Sequence, residues 1–195
     1  MQRRFGRPIL ELGGNNAIIV APDFNDIDGL VQSVVFAAFG TQGKLLFSSS
    51  FFIIYNSGQR CTTLRRLFLP ESIYDEVLQR VINGGKNLAG RIGDPMCQDT
   101  LYGPMHNQSG VDLYKRTVQR VKEAGGKIES GGNQIDRAGF FVDPCVVTGL
   151  SHDHELIQEE AFCPILYVMK YGSLDEAIEW NNEVEQGEFF LFNYY

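Results

Sequence analysis

Residues 17–40 read AIIVAPDFNDIDGLVQSVVFAAFG, and the punctuation of that stretch decides the fold class. Ala17 to Val20 is a short apolar run of the kind that forms a buried strand. Asp23 and Asn25 follow with side chains suited to capping a helix. From there Ile27, Leu30, Val31, Val34, Val35 and Ala38 recur at helical spacing, and Gly40 ends the helix. The same alternation continues outward. Leu67 to Leu69 is strand-like and closed by Pro70. Ser72 with Asp75 matches a capping box before a helix carrying Val77, Leu78, Val81 and Ile82, whose second half Gly84 and Gly85 weaken. A further helix is predicted from about Gly110 to Ala124, stopped by Gly125 and Gly126. Lys127 to Glu129, Phe140 to Val142 and Ile165 to Lys170 read as strands. Ser173 with Glu176 is a second capping box, opening a helix through Trp180. Strands alternating with helices predict an α/β domain with a mostly parallel sheet and flanking helices.

The composition sets bounds on partners. The 195 residues are 44% hydrophobic and 21% charged, an ordinary globular mixture with enough chain for one sizeable core. A net charge of −7 argues against nucleic acid and anionic membrane as partners. The longest greasy stretch, Leu45 to Tyr55, is interrupted by serines and falls short of the roughly 20 apolar residues a membrane span needs. The basic Met1 to Gly6 has no apolar run after it, so no secretory signal is read. Cys61, Cys97, Cys145 and Cys163 form no CxxC pair and show no ligand spacing with His106, His152 and His154, which argues against a zinc site. Four cysteines in a chain of this length argue against a disulfide framework, so reduced thiols are expected.

Three short elements carry chemistry. In Leu10-Glu11-Leu12-Gly13-Gly14-Asn15-Asn16 a glutamate sits between leucines before two glycines. Desolvation there disfavours the charged carboxylate and raises it toward the range of a general base. The plainer reading is a solvated glutamate before a tight turn. In Gly58-Gln59-Arg60-Cys61-Thr62-Thr63 a cysteine follows Gly and Arg, and a neighbouring guanidinium favours the reactive thiolate. A small buried thiol is the plainer reading, and it is the one taken for Cys97, Cys145 and Cys163. In Glu160-Ala161-Phe162-Cys163-Pro164 a carboxylate precedes an aromatic by two residues, an arrangement able to hold a ribose hydroxyl with a ring packed nearby.

In this order the three elements resemble the aldehyde dehydrogenase superfamily, which carries an E-L-G-G glutamate, a G-Q-x-C cysteine and an E-x-F-x-P segment. The stretches ELGGNNAIIV, GQRCTT, RRLFLPESIYDEVL, TLYGPMHNQ, DPCVVTGL, CPILYVMK and WNNEVEQG are similar to the antiquitin subfamily, enzymes that oxidise α-aminoadipate semialdehyde. The similarity runs from about Gly6 to Gly187. It implies the catalytic α/β domain of that fold, with NAD as cofactor and a small aldehyde as substrate. Cys61 would attack the aldehyde carbonyl and pass through a thioester, and Glu11 would activate the hydrolytic water. Glu160 would bind the nicotinamide ribose with Phe162 beside it, and Arg60 would recognise the substrate carboxylate. Family members are homo-oligomers and occur in the cytoplasm or mitochondria, and no targeting segment is legible in this chain.

The chain departs from the family pattern in four places. It begins just before the general-base motif, so residues 1–16 read as the end of a cofactor-binding region and 17–187 as the catalytic domain, truncated at both ends. The subfamily runs G-T-x-G directly into Q-R-C, whereas here Gly43 and Gln59 are separated by fifteen extra residues, 44–58. Residues 188–195 replace a serine-rich run, and the oligomerisation segment is not matched. Gly84-Gly85-Lys86-Asn87 interrupts a helix that is usually continuous. The Leu, Phe, Ser and Ile bias of 44–58 suits translated intron, and both atypical segments are prone to β-aggregation if exposed. Two alternatives to a working dehydrogenase therefore stand: an inactive fragment or splice or gene-model variant, and a cofactor-independent thiol esterase using Cys61 and Glu11.

Overall fold

A computed structural model describes residues 12–40, 57–97 and 100–185, and the backbone of 190–192. Within them the apolar run at the start of the deciding stretch forms β1 (Asn16–Ile19), and the helical spacing after it forms α1 (Ile27–Phe39). Asp26 caps this helix, rather than Asp23 or Asn25, its carboxylate accepting the Gly29 N–H at 3.0 Å. The chain continues through β2 (Leu64–Pro70), α2 (Tyr74–Ala89), α3 (Gln108–Glu123), β3 (Lys127–Ser130) and β4 (Cys145–Thr148). It then forms a short α4 (Glu155–Gln158), β5 (Ile165–Tyr171), α5 (Leu174–Asn182) and β6 (Phe190–Phe192). Six strands make one sheet in the order β3-β4-β5-β2-β1-β6. Only the β3–β4 pair is antiparallel, so the mostly parallel α/β sheet expected from the sequence is the one that forms.

Period-two alternation divides the strands' apolar side chains between two layers. Ile18, Leu67, Leu69, Leu166 and Val168 pack with Leu30, Val34, Val77 and Val81 of α1 and α2. Ala17, Ile19, Phe68, Tyr167 and Met169 pack with Val111, Tyr114, Val118 and Val121 of α3. The sheet is therefore covered on both faces, which is the usual condition for parallel strands.

Several sequence expectations need correction. Phe140 to Val142 is not a regular strand: Val142 makes an isolated bridge to Gln134, and the ladder begins at Cys145, just past Pro144. β2 is longer than Leu67 to Leu69, because Arg65 and Arg66 are buried within it and their charges disguise its start. The Ser72–Asp75 capping box does not form. Ile73 is the N-cap of α2, without a side-chain cap. That helix runs unbroken through Gly84 and Gly85, and a Cβ on Gly84 would lie 2.6 Å from Val35 Cγ2 of α1. The glycines cost helix propensity, about 1 kcal/mol each, and at Gly84 the missing side chain lets two helices approach closely.

The second capping box is present as read. Ser173 accepts the Glu176 N–H at 3.2 Å, and the Glu176 carboxylate accepts the Ser173 N–H in return. Ser173→Ala is expected to remove about 1 kcal/mol of stability, lowering the melting midpoint by about 2–4 °C. A midpoint unchanged in calorimetry would show that the cap contributes nothing.

Of the atypical segments, 44–56 lie outside the described residues, and Ser57 and Gly58 belong to the turn described next. Within 188–195, residues 190–192 are the strand β6, parallel to β1.

Candidate active site

Three segments meet where the chain enters three adjacent parallel strands. Gly14 to Asn16 leads into β1, Ser57 to Thr63 into β2, and Glu160 to Pro164 into β5. Because the sheet order places β5, β2 and β1 side by side, their N-terminal ends are neighbours although 99 positions separate Cys61 from Glu160. Ligands of open α/β sheets usually sit at the carboxyl ends of strands; this constellation gathers at the opposite ends.

The cysteine turn is tightly specified. Ser57 and Gly58 have φ of 50° and 69°. Gly58 is required on two counts, its left-handed backbone and a close approach that would put a Cβ 2.6 Å from the Cys163 carbonyl oxygen. Ser57 Oγ donates to Gly103 O at 2.7 Å, and Gln59 Oε1 accepts the His106 N–H at 2.8 Å. Within the turn, Thr63 donates its N–H to Arg60 O at 3.1 Å, and its hydroxyl accepts the Arg60 N–H at 3.2 Å. The Asn16 side chain donates to the carbonyls of Cys61 and Thr63. Cys61 and Arg60 are both half-buried on this turn.

Arg65, on β2, joins all three segments. It is 1% exposed, and its guanidinium donates to Gly14 O at 3.3 Å, Gly58 O at 3.4 Å and Ala161 O at 2.7 Å. Its Nη2 donates both to Arg60 O at 2.9 Å and to Glu160 Oε1 at 3.1 Å. The Arg65 guanidinium carbon also stands 5.2 Å from the centroid of the Phe162 ring. Burial pulls this guanidinium below its ordinary value, and Glu160 works against that pull. Arg66, next along the strand, donates to Asn15 O and to Asn181 Oδ1, and burial brings it down to about 10.

Sequence reading singled out Arg60, Cys61, Glu160 and Phe162, and the structure gathers their segments around one side chain. Glu11 lies outside the described residues. The sequence reading missed Arg65, and also Asn15 and Asn16, which fasten the β1 approach to the Ile157 and Gln158 carbonyls and to the cysteine turn. One signal was available: two adjacent arginines in an otherwise apolar run are rarely buried without specific partners.

Gln59 and Phe162 also line a cavity of about 680 Å³, with Pro104 to Asn107 and the first turns of α3 on its other side. Glu160 is partly exposed, and its Oε2 accepts no hydrogen bond among the described residues. A half-exposed ring beside a carboxylate with acceptor capacity left over fits a sugar hydroxyl. Among the described residues no group of three or more His, Cys, Asp or Glu is placed to hold a metal ion.

The other thiols separate by environment. Cys97 is exposed, whereas Cys145 and Cys163 are fully buried and pushed up to about 12 by that burial. Iodoacetamide on the native protein near pH 8 is therefore expected to label Cys61 and Cys97 and to spare the other two until denaturant is added. A thiol raised in the folded state favours folding fully below its unfolded value, near 9, and loses that contribution as pH climbs toward 12. The melting midpoint should accordingly fall above pH 9. Labelling of Cys145 or Cys163 at the rate of Cys97 would contradict both expectations.

Comparison with known proteins follows the same lines. The model of the aldehyde dehydrogenase family matches residues 1–189. Mouse alpha-aminoadipic semialdehyde dehydrogenase is 45% identical over 187 residues, covering 96% of this chain and 31% of that protein. Aldehyde dehydrogenase family 7 member A1 of Pisum sativum is 44% identical over 187 residues, 96% of this chain and 33% of that protein. Among solved structures, betaine aldehyde dehydrogenase from Staphylococcus aureus in complex with NAD+ aligns with a TM-score of 0.76 and 27% identity, over 89% of this chain and 32% of its own. The chain spans about a third of the length of the curated relatives it matches.

Proposed function

The chain belongs to the aldehyde dehydrogenase family, and from that premise we propose that it carries the nucleophile and ribose-binding part of a site that oxidises a carboxylate-bearing semialdehyde to the acid, with NAD as hydride acceptor. The observation that carries this reading is the sharing of Arg65 Nη2 between Arg60 O and Glu160 Oε1, which brings the cysteine turn and the Glu160 segment within reach of one nitrogen.

The Cys61 sulfur attacks the aldehyde carbon, forming a C–S bond and placing negative charge on the carbonyl oxygen, which the Cys61 backbone N–H stabilises. A bound NAD, held at Glu160 and Phe162, would supply the hydride acceptor for that carbon. The carbon is left as a thioester on Cys61. Glu11 removes a proton from water, the hydroxide adds to the thioester, and the acid departs as the Cys61 thiolate is restored. Glu160 would accept a hydrogen bond from the nicotinamide ribose, and Phe162 lines the adjacent cavity. Arg60 pairs with the substrate's distal carboxylate through its planar donor fork. The similarity to an alpha-aminoadipic semialdehyde dehydrogenase supports that semialdehyde as the substrate to try first.

The test is direct. The purified chain is mixed with NAD and α-aminoadipate semialdehyde, and NADH and the dicarboxylic acid are measured together. Stoichiometric formation of both is the expected result. Neither product, with no dinucleotide binding by calorimetry, would overturn the reading for this chain.

A further inference from the structure

The catalytic residues proposed above do not include the side chain with the most contacts at the site. Arg65 touches every segment of it and lines none of the cavity. We propose that Arg65 is a positioning residue, a single buried guanidinium that sets the cysteine turn and the Glu160 carboxylate relative to one another.

The geometry supports this in three ways. First, the acceptors come from separate parts of the chain: Gly14, the turn carbonyls of Gly58 and Arg60, and Ala161 with Glu160. A displacement of the turn must therefore break bonds that also hold the Glu160 segment. Second, a planar guanidinium offers donors in a fixed fork that a lysine ammonium lacks, so the directions as well as the distances are imposed. Third, Arg65 is buried while Glu160 keeps 17% of its side chain exposed. The charge facing the turn is thus screened little by solvent, and the carboxylate remains able to meet a ligand.

Among the described residues, charged and titratable groups lie on the cysteine turn and on the segments bonded to it. Arg60 is on the turn itself, Arg65 on β2, and Glu160 and Cys163 on the approach to β5; His106 adjoins through its backbone bond to Gln59. Arg66 is engaged elsewhere, with Asn15 and Asn181. Arg65 is the member of this set that is both buried and bonded to the turn, through the Gly58 and Arg60 carbonyls, and its charge interacts with the Cys61 thiol as well as with Glu160.

This inference rests on the dehydrogenase reading only for what Glu160 binds. Its test is the pH dependence of Cys61 alkylation by iodoacetamide in the full chain, followed by mass spectrometry of the peptide that contains Cys61. Neither aldehyde nor dinucleotide enters the assay, so it reports on Arg65 whether or not NADH is ever formed. Arg65→Met is expected to raise the midpoint by about one pH unit and to slow alkylation at neutral pH about tenfold. Arg65→Lys should recover most of the midpoint by restoring the charge. A folded Arg65→Met chain whose midpoint matches the parent would overturn the proposal and leave Arg65 a packing residue. Should the Arg65 variants not fold, Glu160→Gln supplies the second reading. It removes one charge from the shared nitrogen and is expected to lower the Cys61 midpoint by about half a unit, and a midpoint that does not move would equally overturn the coupling.

Discussion

On the proposed function, Cys61→Ala should abolish aldehyde oxidation, a loss of about a thousandfold or more, while the melting midpoint stays within about 2 °C of the parent. The first part follows from chemistry. With no sulfur there is no C–S bond, no thioester and no route by which the carbon gives up its hydride in a covalently held state. The second part follows from position. Cys61 is half-buried on a turn outside both hydrophobic layers, so its side chain contributes little packing. The turn itself is held by backbone and neighbouring groups: the Asn16 amide on the Cys61 carbonyl, the Thr63 contacts to Arg60, and Arg65. NADH formation at saturating aldehyde, measured beside a thermal melt, separates the two effects. Retention of even a tenth of the parent rate would remove Cys61 from the mechanism and point to another nucleophile.

Gly58→Ala should be the most damaging conservative change in the site, because it strikes stability and reactivity together. Its φ of 69° lies in the left-handed region, where a side chain costs about 1–2 kcal/mol. The added methyl would also approach the Cys163 carbonyl oxygen to 2.6 Å and the Pro164 Cα to 2.7 Å, both rigid backbone atoms. Relief requires moving either the cysteine turn or the start of β5. Adding the contact to the strain gives a loss on the order of 2–4 kcal/mol. Alkylation of Cys61 should fall with it, since the turn cannot shift while keeping its bonds to Arg65 and Asn16. A displacement of about 1 Å at a reacting atom is enough to cost on the order of 100-fold in rate. Denaturant unfolding and Cys61 labelling on the same samples would check both. A variant as stable and as reactive as the parent would mean that the approach of the two segments is looser than the structure shows.

These two residues belong to a motif that is legible without any structure, and most of the site can be sorted by that criterion. The G-Q-R-C-T-T stretch, the E-L-G-G-N-N stretch and the E-A-F-C-P stretch each announce a chemical role through residue type and spacing. Strand and helix periodicity likewise predicts the parallel sheet, because a period of two or of 3.6 residues is a local property of the chain. The errors have local explanations too. Phe140 to Val142 reads as a strand because aromatic and β-branched residues mark strands, whereas it makes only an isolated bridge and the ladder of β4, which needs N–H donors, starts after Pro144. The start of β2 was hidden because two arginines look like surface residues when their partners lie far off in sequence.

By itself, then, the sequence determined the family and the class of fold, and it named the groups proposed to react. Covalent chemistry depends on which atoms are present, and periodicity depends on near neighbours. The tertiary structure alone decided that the approaches to β1, β2 and β5 lie side by side, and that Arg65 bridges them. Strand order is set by which faces can be covered and which edges can pair, a balance over the whole chain. The worth of a buried guanidinium depends on acceptors 51, 7, 96 and 95 positions away, which no local pattern encodes.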